Sequence, residues 1–487
     1  MKDKLNIIKK WLIIIVQIVV SGLFIYTCYN VALIPQSYII LGTLFLSGLI
    51  VGEYFLIFYK KEKSKRSLIT QLLSIVLSGV LLMGSSYLYQ IGKVVNLLAE
   101  DSFQKRAISV IVLEDSEIRN QNQLPHHKIG YMSFVDKENM DYAVDVIQKE
   151  VGEISVTDHE DFHALVEAFY NKEVDAIILD EAFRSLIEEE HETFTDDTRV
   201  VYQVTKEESH ISAKSVDVTT KPFLVFISGN DTYGEMEAVS RSDVNMLAAI
   251  NPTTHQILLV SIPRDTYVPL HRNGMNDKFT HTGMYGLQES INTLEDLINE
   301  EINYYVRMNF TSFINVIDAL GGITVYSPRE FVTIKGHYTI KKGENTLNAK
   351  QALSFVRERK AFADGDFMRG RNQQRMIVAI VDKVSSPAIL SSFSSIMDIV
   401  SESFDMNFTR EDMNAFVQMQ LSEMPSWDIQ MYQIKGYPTM KPCYSSGSQP
   451  YSVVVPYDNS IEEARQYIDD LMQGKIIKVE TTNEDEQ

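Results

Sequence analysis

Two long uncharged runs set the first 92 residues apart. No charged residue occurs from Trp11 to Gly52, and none from Ser67 to Gly92. A bilayer core takes about 20 apolar residues per helix, so the first run is long enough for two passes and the second for one. Proline does not continue a helix, which puts a turn at Asn30 to Pro35 and spans near 11–30, 37–59 and 68–91.

Beyond residue 92 the pattern shortens. Apolar runs at Ala107–Val112, Ile129–Phe134, Val174–Leu179 and Val200–Val204 predict strands, and Asn139–Gln148, Asp161–Tyr170 and Glu181–His191 predict helices. That alternation indicates a small α/β unit. The polar stretch Lys206–Thr220 reads as a linker. A second series follows it, with strands at Phe223–Ser228, Val244–Ile250, Gln256–Ile262 and Tyr304–Met308. Its helices are Gly286–Glu300, Phe313–Leu320 ending at Gly321 and Gly322, 349–358, and one running through Met376–Lys383. The tail Glu480–Gln487 is acidic and reads as disordered.

Charge supplies an orientation. Lys2, Lys4, Lys9 and Lys10 precede the first span, and Lys60, Lys61, Lys63, Lys65 and Arg66 lie between the second and third. The positive-inside rule places both flanks in the cytoplasm and everything after residue 92 outside. A cleaved signal peptide is disfavoured, because the uncharged run continues into a second span. The 395 residues after position 92 hold 36 Lys and Arg against 62 Asp and Glu, so the exterior part is strongly acidic. Such a surface repels nucleic acid and anionic lipid headgroups. Cys28 falls in a span and Cys443 far outside it, which excludes a disulfide framework.

One segment reverses this balance. Arg357, Arg359, Lys360, Arg369, Arg371 and Arg375 concentrate six cations in a chain of net charge -20. Arginine donates paired hydrogen bonds to phosphate or carboxylate oxygens. A solvated helix face with Glu/Arg pairs would also produce a charge run, but few acids interrupt this one. Several further polar residues stand at predicted strand ends, where an open α/β sheet places its ligands: Asp231, Arg241, Asp243, Arg264 and Asp265. Aspartates beside arginines suit a divalent cation bridging phosphate oxygens. No P-loop, GxGxxG, GxSxG or HExxH is present, so nucleotide binding and serine or zinc hydrolysis lack a sequence basis. His126, His127, His159 and His163 have no metal-ligand spacing, and ordinary surface or core positions are expected for them.

The run from Arg241, Ser242 and Asp243 to Pro252, then Leu259 to Val268 with Pro263, Arg264 and Asp265, resembles the core signature of the LytR-CpsA-Psr family. The similarity continues through Lys278, Asn309 and Phe310, Ala319 to Ile323, Leu347 to Leu353, and Arg357 to Arg359. Several separated motifs in order are more specific than one. The three-span anchor and small preceding domain are similar to the capsule-associated, CpsA-type branch. The resemblance implies an α/β chain with a membrane anchor over 1–92, an accessory domain and linker over 93–220, an α/β/α domain with a central mixed sheet over 221–479, and a tail over 480–487.

It also implies a Mg²⁺-dependent phosphotransferase. Such an enzyme moves a glycopolymer, here expected to be capsular polysaccharide, from a polyprenyl-pyrophosphate carrier to peptidoglycan at the outer membrane face, alongside capsule assembly proteins. Asp231 and Asp243 would hold the metal. Arg241, Arg264, Lys278, Arg357, Arg359, Arg369 and Gln373 would line the pyrophosphate, with Arg264, Asp243 and Asp366 taking part in catalysis and Asp366 or Asp243 as base. One departure stands out: where many members have Arg-Gln-Gln, this chain has Asn372, Gln373 and Gln374. Arg371 is one residue earlier and points about 100° away on the helix, so it is left outside the set. Two other classes remain: a membrane-anchored regulator of capsule expression, opposed by the charge and topology, and a polyprenyl-pyrophosphate binding module without turnover.

Overall fold

The computed structural model describes residues 2–31, 36–58, 65–98, 104–209, 211–231, 239–362, 364–386, 403–447 and 449–480. The expected turn at Pro35, the basic loop at Lys60, Lys61 and Lys63, and the acidic tail after Glu480 lie outside them. The chain divides into two compact units, one built on residues 1–100 with parts of 385–426, the other on 101–384, 403–407 and 427–487.

In the first unit, helices Lys2–Val31, Gln36–Phe58 and Lys65–Leu98 contain three segments long and apolar enough to cross a membrane: Asn6–Asn30, Gln36–Phe58 and Arg66–Tyr89. Val20, Leu46 and Leu81 pack where the three meet. Beside them Ser74 and Ser78 donate to the Gln17 side-chain oxygen, so this buried amide is satisfied without water. Most of the remaining apolar side chains face outward, as lipid contact requires.

The second unit contains two sheets. The smaller has five strands in the spatial order Ser155–Asp158, Lys128–Tyr131, Ala176–Asp180, Lys105–Leu113 and Thr198–Glu207. The first of these was missed in the sequence because Ser-Val-Thr-Asp carries a single apolar residue. The larger is a mixed six-stranded sheet ordered Asp405–Met406, Tyr304–Asn309, Phe223–Asn230, Val244–Asn251, Gln256–Ser261 and Asp428–Gln433. Leu224, Phe226, Leu247, Leu258 and Val260 on one face share a core with Ile291 and Leu294 of helix Leu287–Ile298 and with Ala464 and Ile468 of helix Asp458–Met472. The alternate residues Met246, Ala248 and Leu259 are equally buried and lie outside that core. Helix Gly365–Val384 covers strands Gln256–Ser261 and Asp428–Gln433 on their side. The result is an α/β/α layering.

The stretch Lys206–Thr220 is not a free linker. Lys206 and Glu207 finish a strand, Lys214 exchanges backbone and side-chain hydrogen bonds with Asn303, and its ammonium lies 2.7 Å from Glu295. Its polar residues serve as partners rather than as solvated spacers. A second tie is Arg106, almost fully buried in the first strand of the small sheet. It donates to Asp180, Asp136 and Glu208, and to the carbonyl oxygen of Met284 at 3.0 Å. Burial opposes charge on Arg106, and the three acids more than offset it, raising its pKa.

Gly283, beside Met284, shows how tightly this junction is made. A Cβ there would stand 2.6 Å from the Ser240 carbonyl oxygen and 2.9 Å from the Ser242 nitrogen, both rigid backbone. We predict that Gly283→Ala destabilises the protein by about 1–3 kcal/mol and shifts the Arg241–Asp243 arm, measured by denaturant unfolding of the full chain; an unchanged midpoint would show that the contact is soft.

Candidate active site

The register of the large sheet brings the polar strand ends together. Strands Phe223–Asn230 and Val244–Asn251 are antiparallel with Gly229 opposite Val244, and the Asp243 N–H donates to the Gly229 carbonyl at 2.8 Å. Asp231 at the end of one strand and Asp243 before the other therefore share an edge. Strand Gln256–Ser261 ends there too, since the Ile262 N–H bonds the Asn245 carbonyl, and Pro263 then turns the chain into Arg264. Asn309 lies opposite Asn230 in the parallel strand, so Phe310 opens its helix at the same end.

Two helices bring the cationic segment to this edge. Helix Ala349–Arg357 begins in a reciprocal cap between Asn348 and Gln351 and ends with the Arg357 guanidinium 3.9 Å over the Phe310 ring. Glu358 is buried. Its carboxylate accepts from the N–H groups of Ile334, Arg359 and Ala361, which fixes the turn that carries Arg359. Helix Gly365–Val384 is anchored by Gln374, whose amide donates to the Leu259 and Tyr432 carbonyls. Gly370 lets it approach: a Cβ there would fall 2.9 Å from Ser261 Oγ and closer still to the Gln433 amide.

Asp243 is nearly buried and accepts from Arg264 at 2.7 Å. Arg264 keeps its charge against burial because Asp243, Asp265 and Asp366 surround it. Arg369 is paired with Asp366 in the first turn of its helix; burial lowers its pKa, and Arg264 adds to that while Asp366, Asp231 and Asp243 oppose it. Asp231 is open to solvent on one side, yet desolvation by the surrounding protein and then the charge of Asp243 raise its pKa. Arg357, Arg369 and Arg264 draw it down.

Thus Asp231, Asp243, Arg264, Arg357, Arg369 and Asp366 form one electrostatic group. Arg359 is exposed beside Gly365 and makes no ion pair among the described residues. Three expected residues stand further out. Arg241 bonds Glu189, Lys278 lies 3.3 Å from Asp265, and Gln373 donates to the Val356 carbonyl next to Arg357. Arg371 is turned to Asp364, and Asn372 is buried, accepting from Arg375. Residues 232–238, between the two aspartates, lie outside the described residues.

The LytR_cpsA_psr family matches residues 189–463. The chain belongs to that family. A polyisoprenyl-teichoic acid–peptidoglycan teichoic acid transferase TagU of Bacillus licheniformis is 32% identical over 228 residues, 47% of this chain and 69% of that protein. The Bacillus subtilis TagU is 34% identical over 219 residues, 45% of this chain and 66% of that protein. A crystal structure of B. subtilis TagV aligns with 26% identity and a TM-score of 0.45 over 53% of this chain and 99% of that one. The family match includes every residue of the electrostatic group and leaves most of the small sheet outside it.

Sequence reasoning did not find Glu358, Phe310 and Gly370 as supports. Glu358 lay within the motif, but its burial could not be read from a charged tripeptide.

The raised pKa of Asp231 makes a prediction with a definite sign. A carboxyl whose folded pKa exceeds its unfolded value stabilises the fold most below the unfolded pKa, and that stability is lost as pH rises through the folded pKa. Asp231→Asn should therefore raise the melting temperature of chelator-treated protein at neutral pH. The gain should vanish below pH of about 4, where the carboxyl is protonated in both states. A variant that melts lower at neutral pH would contradict the electrostatic assignment.

Proposed function

We propose that this chain is a phosphotransferase that ligates a glycopolymer from a polyprenyl-pyrophosphate carrier to peptidoglycan, capsular polysaccharide being the expected cargo. The observation that carries the reading is the convergence of Arg264, Arg357 and Arg369 on Asp231 at one sheet edge, within a family match that includes teichoic acid–peptidoglycan transferases. The three-helix anchor and preceding small sheet favour the capsule branch over the teichoic acid one. On the positive-inside reading, the second unit lies outside the cell, at the membrane face where lipid-linked polymer and peptidoglycan meet.

In the proposed reaction an acceptor sugar hydroxyl attacks the phosphorus next to the polymer. A new P–O bond joins polymer phosphate to peptidoglycan, the P–O bond to the bridging oxygen breaks, and polyprenyl phosphate leaves with the electron pair. Arg264, Arg357, Arg359 and Arg369 stabilise the charge growing on the leaving group. Arg357 is held flat by Phe310, which fixes the direction of its paired donors. Asp366 accepts the hydroxyl proton; at 18% side-chain exposure it is more open than Asp243 at 8%. The donor set suits a divalent cation, because two carboxylates that repel one another share the edge and Asp231 retains an open side. Asp231 and Asp243 would hold Mg²⁺, which when bound supplies further charge neutralisation at the pyrophosphate. The apolar helix Phe310–Ala319 offers partly exposed Phe313 and Ile314 to the polyprenyl tail.

The strongly acidic balance after residue 92 opposes the regulator reading. A binding module without turnover would retain the arginines but not require the carboxylates.

Arg359→Ala is the cleanest test. It removes an exposed cation with no ion pair among the described residues and should leave melting unchanged while reducing transfer of lipid-linked polysaccharide to peptidoglycan about 100-fold or more. Arg359→Lys should restore only part. Near-normal transfer would remove Arg359 from the site. Asp243→Asn should abolish transfer while lipid-pyrophosphate binding survives, and chelator should have a similar effect, reversed by Mg²⁺. Transfer indifferent to both would remove the metal and carboxylate roles.

The topology has its own test. Protease added to intact, wall-stripped cells should digest residues beyond 92, and full protection would overturn the exterior placement.

A further inference from the structure

The helices that flank the small sheet supply no residue to the transfer reaction described above, yet they bring together a second set of side chains of metal-ligating type. Helix Phe162–Tyr170 carries His163 in its first turn, helix Arg184–Glu190 ends at Glu190, and His191 follows. His163 Nδ1 and Glu190 Oε2 lie 3.2 Å apart, and one ligand atom from each of His163, Glu190 and His191 falls within 4.8 Å of the others. Two donors bonded to one tetrahedral ion stand roughly 3.3 Å apart, so the first pair is already at ligand spacing. The 27-position separation of His163 and Glu190 hid this from the sequence.

Each ligand is also supported from behind. His163 Nε2 lies 3.5 Å from Glu167, an outer carboxylate of the kind that orients metal-bound imidazoles. The His191 ring stacks on Tyr170 at 5.4 Å, and Glu190 Oε1 lies 3.4 Å from Tyr451 Oη. All three ligands line a surface pocket together with Ser445, Ser446 and Tyr451, which leaves room for solvent at a further coordination position.

We propose that His163, Glu190 and His191 bind one zinc-class ion. Two imidazoles and one carboxylate suit Zn²⁺ or its borderline neighbours, whereas Mg²⁺ requires oxygen donors. The ion fastens the end of helix Arg184–Glu190. The preceding residue, Glu189, holds Arg241, so the site steadies the arm that leads to Asp243. It is a positioning site, separate from the pyrophosphate site.

The test uses full-length protein in detergent, stripped of metal and titrated with Co²⁺ in excess Mg²⁺, followed by visible absorption. One Co²⁺ per chain is expected, with the intense bands of a four- or five-coordinate site. His163→Ala and His191→Ala should each weaken it by about 100-fold or more and Glu167→Gln by about 10-fold, while His126→Ala changes nothing. Zn²⁺ should raise the melting temperature of the unaltered protein and not that of either His variant. Should an alanine variant fail to fold, Glu190→Gln preserves size and must show the same loss. Co²⁺ affinity unchanged in the ligand variants, or only the weak bands of six-coordinate Co²⁺, would overturn the proposal and leave His163 and Glu190 as a surface ion pair.

Discussion

Arg264 and Asp243 meet where three strands of the large sheet end, and the rest of the site is arranged around that pair. Neither partner is dispensable to the other. Asp243 is nearly buried, and removing Arg264 would leave its carboxylate without its hydrogen-bonded cation. The sheet register makes the pair possible, because the antiparallel ladders place Gly229, Val244, Asn245 and Ser261 side by side. Around the pair, burial and the charge of Arg264 disfavour the Arg369 cation, and burial and the charge of Asp243 disfavour the Asp231 anion.

The strand ends were legible in the sequence because each obeyed a local rule. An apolar run stopped, and a charged residue followed: Asn230 to Asp231, Ser261 to Arg264. What could not be read was direction. Arg241 stands near Asp243 in sequence, yet its guanidinium is taken by Glu189 of helix Arg184–Glu190, a partner 52 residues away. Gln373 also ties two helices through the Val356 carbonyl. Such outcomes depend on which long-range acceptor is nearer, and no spacing rule reports that.

The same limit explains the elements that were missed. Strand Asp428–Gln433 completes the large sheet but reads as Asp-Ile-Gln-Met-Tyr-Gln, too polar to stand out, and it is held by Gln256, Gln374 and the parallel ladder rather than by its own pattern. Lys206–Thr220 had the composition of a spacer, and composition alone could not show that Asn303 would clasp it. Local chemistry thus foretold where the charged strand ends would gather better than it foretold what would brace them.

Arg106 has a consequence for the order in which the molecule can be made. Its side chain is sealed among Asp136, Asp180 and Glu208, but the last acceptor, the Met284 carbonyl, is encoded 178 residues later. A ribosome adding about 5–20 residues per second leaves that acceptor missing for roughly ten seconds or more after Arg106 emerges. During that interval the small sheet has an unclosed face, where Ile111, Phe183 and Leu179 await Val239 and Met284. Only when the larger sheet is made can Val239 and Met284 cover that face.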